Sequence, residues 1–537
     1  MPLLLLLITS FLSLLLLYTI ITIRKKSSSS SLPNWPLLGM LPSLLWNLSN
    51  LHDFATRILK AHGGTFAFKG PSFTNLDFIV TSDPTNVHHI VTKNFSNYPK
   101  GPELKAIMDP FGDVIFNTDG DSWKTKKDII LSLIKTAGFE RLLMKTLRHK
   151  LASSLIPVLD HAARNHDDGG VVLDLQDVMK RFTFDLTCLL LLGIDPECLS
   201  TSFPRVPCAE AFDVIEEAIV YRHCVPPWVW KLQRWLHVGW EGKTVKAEEC
   251  LNGFLEERIR EKMVEKKAKE SCGNDDGDDN YDLLMKLIVE TERLMGDCYS
   301  TKGEKFVRET VVSLMVAGRD TIAVALSWFF WLVATNPGAE EKILEELDRL
   351  VITQTGEEQG IFSSIEELNK MVYLHGAISE TLRLYPSVPN EPKQSMEADV
   401  LPSGHGVSKN TRILVSIYSM GRMEEVWGKD WMEFKPERWI SERTEGNNII
   451  NDDDANKKKK CTIHVPSYKF AAFMAGPRSC PGRKIAFMQL KNIASCVLRR
   501  YKIVVVDDHP VVPLPSIMMF MRYGLKVRVS SRTPGDK

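Results

Sequence analysis

No sign of charge predominates in this chain, since 67 lysines and arginines meet 67 aspartates and glutamates. It therefore lacks the electrostatic footprint of a nucleic-acid binder, and no nucleic acid is expected as a partner. No internal repeat recurs, which excludes a repeat array. The ten cysteines, at 188, 198, 208, 224, 250, 272, 298, 461, 480 and 496, form no CxxC pair and no regular framework. They read as scattered thiols of a reducing compartment. Gly273–Asn280 has the composition of a calcium loop but lacks the closing glutamate at the twelfth position, so it reads as a solvated linker. Thr444–Cys461, with its acidic run and its lysines 457–460, reads likewise as a surface insertion.

Long apolar runs are also scarce. Pro2–Ile23 is long enough to cross a hydrocarbon core of ~30 Å as a helix. It has no basic segment before it and no A-x-A-like cleavage site, which disfavours a removed signal peptide. Arg24-Lys25-Lys26 follows at once, and positive residues stay on the cytosolic side. The expected organisation is a transmembrane signal anchor at 1–23, a basic, serine-rich linker and proline-punctuated hinge at 24–42, and one large catalytic domain at 43–537. A chain of 537 residues, 44% of them apolar, buries a core of that size.

Apolar periodicity predicts helices around Leu51–Ala61, Leu142–Ala163, Leu173–Leu192, Leu251–Glu270, Phe306–Thr335, Ala339–Leu350 and Leu368–Leu384. Strand-like runs are short: Thr65–Lys69, Phe78–Thr81, Thr411–Ile417, Tyr501–Val506 and Leu525–Val529. The fold class is mainly α with a small β subdomain.

The most informative stretch is Phe473-Met-Ala-Gly-Pro-Arg-Ser-Cys-Pro-Gly482. It sets Cys480 in a glycine-bracketed loop with Arg478 two residues before it, and an apolar helical pattern follows from Lys484 to Leu498. Glycines let a flat macrocycle approach the backbone, and a thiolate ligates iron. Arg478 suits a propionate, because guanidinium pairs with carboxylate through a planar fork. Pro481 has no N–H, so the residue after the cysteine cannot donate to the sulfur. Far upstream, Ala317-Gly-Arg-Asp-Thr321 places an acid and a hydroxyl on a long apolar helix, groups that deliver protons to oxygen bound at iron. Its two small residues give room over the metal. Glu380-Thr-Leu-Arg383 sets opposite charges at i and i+3, and Phe434-Lys-Pro-Glu-Arg-Trp439 supplies a further arginine.

These motifs resemble those of the cytochrome P-450 family, in the right order and over essentially the whole chain after the anchor. The resemblance implies that fold with an N-terminal transmembrane helix, and a heme b cofactor with its iron on the Cys480 thiolate. Thr321 and Asp320 are its catalytic pair, and Glu380, Arg383 and Arg438 form a buried structural triad. Trp123 and Lys127, in Trp123-Lys-Thr-Lys-Lys127, contact a haem propionate along with Arg478; relatives usually carry arginine where this chain has Lys127, and Lys127 loses the fork. Ile322 stands where relatives often have a second threonine. The resemblance further implies an endoplasmic reticulum membrane protein with a cytosolic catalytic domain. Its electrons come from NADPH through NADPH-cytochrome P-450 reductase, which meets an exposed basic face of Lys124, Lys126, Arg483 and Lys484.

Leu401–His405, Tyr418–Met423, Val426–Gly428 and Phe434–Ile440 look like the plant group of fatty-acid omega-hydroxylases and mid-chain alkane hydroxylases, a branch that also holds alkaloid phenol-coupling enzymes. Phe111–Phe116, Met315–Thr321, Ser387–Val388 and Ile517–Phe520 are the expected pocket walls, apolar enough for an apolar small-molecule substrate taken from the bilayer. Hydroxylation of long-chain aliphatics leads, with phenol coupling second. A haem-thiolate isomerase or dehydratase and a non-catalytic haem sensor are disfavoured by the intact Asp320-Thr321 pair.

Overall fold

The computed structural model describes residues 32–72, 74, 76–164, 171–272, 282–296, 298–351, 365–444 and 458–532. The apolar run 2–23, the basic step 24–26, the serine linker 27–31, the acidic stretch 273–280 and residues 445–457 lie outside these. Contacts divide the chain into two units. One holds the residues up to Pro99 with Asn390–Trp431 and Ala475–Pro477; the other holds Lys100–Pro389, Met432–Met474 and the residues from Arg478 onward.

In the first unit a four-stranded sheet runs in the order Thr65–Phe68, Phe78–Thr81, Arg412–Ser416, Asn390–Gln394. The central pairing, Phe78 to Arg412, is parallel and the outer two are antiparallel. Phe66, Phe68 and Val80 bury one face against Met40, Leu59 and Met423, and Phe68 stacks on Phe78 with ring centroids 4.7 Å apart. Sequence pattern did not reveal Asn390–Gln394, which is polar and contains Pro392. It is an edge strand, where a missing N–H is tolerated.

The second unit is organised around the helix Thr301–Ala334. Ser300 caps it by accepting from the Gly303 N–H at 3.2 Å. Among the described residues it is the one helix apolar and long enough to cross a membrane, yet 78% of its most apolar window is buried inside the protein. Burial on that scale marks a core helix. It packs along Leu175–Leu192, and a Cβ built on Gly318 would lie 3.2 Å from Thr187 Oγ1. The missing side chain of Gly318 thus serves helix–helix approach, which corrects the expectation that it opens space over a metal. The helix also continues through Gly318 without a break.

Other differences have local causes. The expected helix Leu142–Ala163 is realised as Ala137–Lys150 and Ile156–Arg164 joined by a π-helical turn at Leu151–Leu155. Pro157 forces the wider turn, because its ring clashes with the carbonyl four residues back. Leu368–Leu384 divides at Met371, and Val372–Leu384 starts afresh with the Glu346 carboxylate accepting from the N–H groups of Tyr373 at 2.7 Å and Leu374 at 2.9 Å. Leu251–Glu270 begins earlier, at Gly239. Leu173–Asp174 is a short strand against Lys526–Ser531, which also pairs with Tyr501–Val505. The helices Pro207–Cys224, Pro227–Leu236 and Leu283–Met295 were not anticipated. In Pro207–Cys224, buried Glu216 and Arg222 interrupt the apolar pattern.

The 444–461 insertion is not a plain solvated loop at its ends. Ile440–Thr444 and Lys458–Thr462 form an antiparallel ladder, with Thr444 opposite Lys458. Exposed Lys460 places positive charge on that narrow ribbon, a device that discourages further edge pairing. The nine cysteines whose side chains are described, all but Cys272, are free thiols.

Candidate active site

The loop carrying Cys480 descends from a short turn at Ala471–Phe473 and feeds the helix Arg483–Arg500, close to the expected 484–498. The Cys480 N–H donates to the Phe473 carbonyl at 2.8 Å, folding the loop back on itself. Gly482 is the helix N-cap, and its N–H donates to the Cys480 sulfur. Pro481 contributes no donor. Cys480 is exposed, while protein crowds the rest of its surroundings. That crowding pushes the thiol above its ordinary range, and the Gly482 N–H and the Arg483 charge pull it back. In the first unit, Gly476 lies at φ +66° with its α-carbon against the Val91 carbonyl, where any side chain would collide.

The structure brings Arg478, Trp123 and Lys127 together. The Arg478 guanidinium carbon lies 4.5 Å from the Trp123 ring centroid, and Lys127 Nζ lies 5.3 Å from the same ring. Arg478 also donates to the Asp119 carboxylate at 2.6 Å and to the Thr118 carbonyl at 2.8 Å. Asp119 in turn accepts from the N–H groups of Lys100 and Gly101, both at 2.9 Å. The sequence reading missed Asp119 because it pairs across more than three hundred residues.

Asp320 and Thr321 sit midway along Thr301–Ala334. The Thr321 hydroxyl donates to the Ala317 carbonyl at 2.5 Å, and the Ser387 hydroxyl donates to the Thr321 carbonyl at 2.7 Å. Met519 N–H meets the Ser387 carbonyl at 2.9 Å, so three of the four expected walls are tied here by hydrogen bonds. The fourth joins through Ile115, whose N–H donates to Ser313 Oγ at 3.1 Å.

Asp320 is fully buried, and its Oδ1 has no hydrogen-bond partner. Its surroundings are an ionic cluster the sequence did not announce. Arg319 is buried and binds Asp213 at 2.7 Å, and Lys180 binds Asp213 at 3.0 Å. Burial favours a neutral Asp213, yet Arg319 and Lys180 outweigh it and hold that carboxyl below its ordinary value. Glu216 is raised well above its ordinary value by burial, reinforced by the Asp320 charge. Glu216 and Asp213 thus come to Arg319 and Asp320 from a second helix, one whose buried charges had hidden its periodicity.

The expected triad is formed. Arg383 grips Glu380 with two bonds of 2.7 and 2.8 Å, and Arg438 reaches it at 3.3 Å. Trp439 Nε1 at 2.9 Å and Lys435 N at 3.1 Å complete the shell of Glu380. Gly376 permits this, since a Cβ there would stand 2.7 Å from the Pro436 carbonyl.

One expectation fails. Lys126 is not part of an exposed basic face: it is buried and paired with Glu309 at 3.2 Å. The reason lies in helix phase, because Lys126 shares a stripe with Ile129, Ile130 and Leu133 on Gly120–Ile134. Lys124, Arg483 and Lys484 are exposed, and Lys484 pairs with Glu140.

Comparison with known proteins adds a family match and three relatives. A cytochrome P450 family model matches residues 30–528. The chain is 38% identical over 501 residues to alkane hydroxylase MAH1 of Arabidopsis thaliana, covering 93% of each chain. It is 36% identical over 515 residues to cytochrome P450 86B1 of Arabidopsis thaliana, covering 94% of this chain and 86% of that one, and 36% identical over 509 residues to noroxomaritidine synthase 2 of Narcissus pseudonarcissus, covering 94% and 92%.

Proposed function

This chain belongs to the cytochrome P450 family of haem-thiolate monooxygenases, and from that premise we propose that it hydroxylates long-chain aliphatic substrates, alkanes or fatty acids, with O2 and electrons from NADPH. The observation that carries the substrate class is the hydrocarbon character of the four expected wall segments. Phe111, Val114, Met315, Val316, Met518 and Phe520 are buried. The hydroxyls of Ser313 and Ser387 are spent on the Glu309 and Thr321 carbonyls. Such walls offer few polar handles and suit an apolar chain.

The donor set around Cys480 fits a haem iron. One N–H, from Gly482, addresses the sulfur, and the helix Arg483–Arg500 begins beside it, which favours negative charge there. Metal coordination deprotonates a thiol that protein crowding alone keeps protonated. Haem bound there supplies oxygen activation at iron. Arg478, Trp123 and Lys127 hold the propionate edge, with Asp119 fixing the arginine. Thr321 holds a proton at the oxygen side, and Asp320, the buried carboxyl beside it on the same helix, resupplies it.

Residues 1–23 serve as a single-pass anchor in the endoplasmic reticulum, 24–42 as linker and hinge, and 43–537 as the cytosolic catalytic domain. Exposed Trp228, Leu232, Trp235 and Leu236, at helical spacing on Pro227–Leu236, suit a membrane surface. Electrons arrive from NADPH-cytochrome P-450 reductase at a face that includes Lys124, Arg483 and Lys484.

A second reading is oxidative coupling of a phenolic metabolite, favoured by 36% identity to noroxomaritidine synthase 2 and by the adaptable Met518, Met519 and Met521. The deciding experiment reconstitutes the membrane-bound protein with a plant reductase and NADPH, and screens alkanes, fatty acids and phenolic alkaloids by mass spectrometry. One oxygen gained by an alkane or fatty acid supports the leading reading. Loss of two hydrogens from a phenolic substrate, with no oxygen gained, overturns it.

A further inference from the structure

Residues 106–119 cross the second unit from the end of the helix Gly101–Ile107 through a single 3-10 turn at Asp109–Phe111 and a loop, with three sets of ties. Buried Arg222 holds its start, donating to the Ala106 and Ile107 carbonyls at 3.2 Å each and pairing with Asp109. Arg478 holds its end through Thr118 and Asp119 and reaches the Ile115 carbonyl at 3.4 Å. Between them the backbone is fastened to the Thr301–Ala334 helix. Asp113 N–H donates to Glu309 Oε1 at 3.0 Å, and Ile115 N–H donates to Ser313 Oγ at 3.1 Å. Gly112, at φ +79°, passes so close that a Cβ would lie 3.1 Å from both Glu309 Cγ and Oε1. The other oxygen of Glu309 receives the buried Lys126 ammonium at 3.2 Å, and that ammonium also lies 4.4 Å from the Phe306 ring centroid.

We propose that Glu309 is a positioning residue for substrate selection, its carboxylate latching Gly112–Asp113 onto the helix that carries Thr321 while Lys126 neutralises it. Two buried charges are a poor way to gain stability, since an apolar pair of similar volume serves as well or better. What the pair supplies is placement, because one carboxylate joins two helices to the chain at Gly112–Asp113, between the Arg222 ties at 106–109 and the Arg478 ties at 115–119. The latch sits twelve residues before Thr321, about 18 Å along the helix axis, with Ser313 and Ala317 at four-residue steps between them. It therefore sets where the far wall stands, not how protons reach oxygen. The selection role rests on the proposal that residues 111–116 line the substrate pocket; the latch itself does not.

The test compares haem-loaded wild type with Glu309→Gln and with the double variant Lys126→Met/Glu309→Leu, which strands no buried charge, leaves only the exposed Lys305 without its Glu309 partner, and keeps the volume filled. Amide hydrogen exchange of residues 112–116 is expected to rise about tenfold in the double variant, as for one or two lost hydrogen bonds. Exchange in Gly120–Ile134 stays within about twofold, and Glu309→Gln, which still accepts from Asp113, stays near wild type. Unchanged exchange at 112–116 overturns the latch. With hexadecane and hexadecanoic acid, the double variant is expected to raise KM about fivefold, leave kcat within twofold and spread the hydroxylated positions. Faster exchange with KM and product positions unchanged overturns the selection role. If wild type oxidises neither probe, the aliphatic reading has failed, and the same KM and kcat comparison is made on the phenolic substrate it does oxidise.

Discussion

At Cys480 the chemistry of the sulfur is decided by its two neighbours. Pro481 supplies no donor and Gly482 supplies one. Replacing Pro481 by leucine adds an N–H next to the ligand, draws electron density from the sulfur and is expected to raise the iron reduction potential; a potentiometric titration showing it level or lower would reject this. Thr321 is held by the Ala317 carbonyl at 2.5 Å, so its oxygen is fixed in place. Thr321→Ala is expected to lower product formed per NADPH consumed by about 10²-fold while NADPH oxidation continues. Thr321→Ser keeps the hydroxyl and is expected to restore most of the yield. Full coupling in the alanine variant would remove Thr321 from proton delivery.

At the scale of elements, the Glu380 carboxylate joins Val372–Leu384 to the turn Pro436–Trp439 with three charged or indole donors and a backbone N–H. Glu380 and Arg383 are both buried. Glu380→Gln strands two arginines in a dry site and is expected to destabilise the protein by about 3–5 kcal/mol, seen as a large drop in the denaturant midpoint of the haem-loaded protein. A midpoint unchanged within error would mean the arginines find other acceptors. The same logic separates the two kinds of glycine here: Gly376 admits the Pro436 carbonyl, whereas Gly318 admits a neighbouring helix.

For the molecule as a whole, acid sensitivity has an identifiable source. His375 stacks on Phe487 with centroids 4.2 Å apart. Burial first, then the charges of Lys491 and Arg483, push it down from 6.5 to about 3. Between those values the unfolded chain takes up a proton that the folded chain refuses. Stability therefore falls as pH drops from about 6.5 toward 3, by on the order of a few kcal/mol. His375→Phe is expected to flatten that limb of the stability curve, measured by unfolding midpoints at pH 7, 5 and 4. An equally steep decline in the variant would assign the acid sensitivity to other groups.

The linear sequence determined the mainly α character, the family, the Cys480 loop, the Asp320-Thr321 pair and the Glu380 triad, because each rests on short motifs or on local spacing. Tertiary structure alone decided which charges are buried and who meets them. Lys126 reads as one more lysine in a basic turn until helix phase turns it inward to Glu309. Asp119 finds Arg478 across the chain, and Glu216 and Asp213 reach Arg319 and Asp320 from another helix. These partners are far apart in sequence, and the cost of burying a charge is settled only when packing brings its counter-charge within reach.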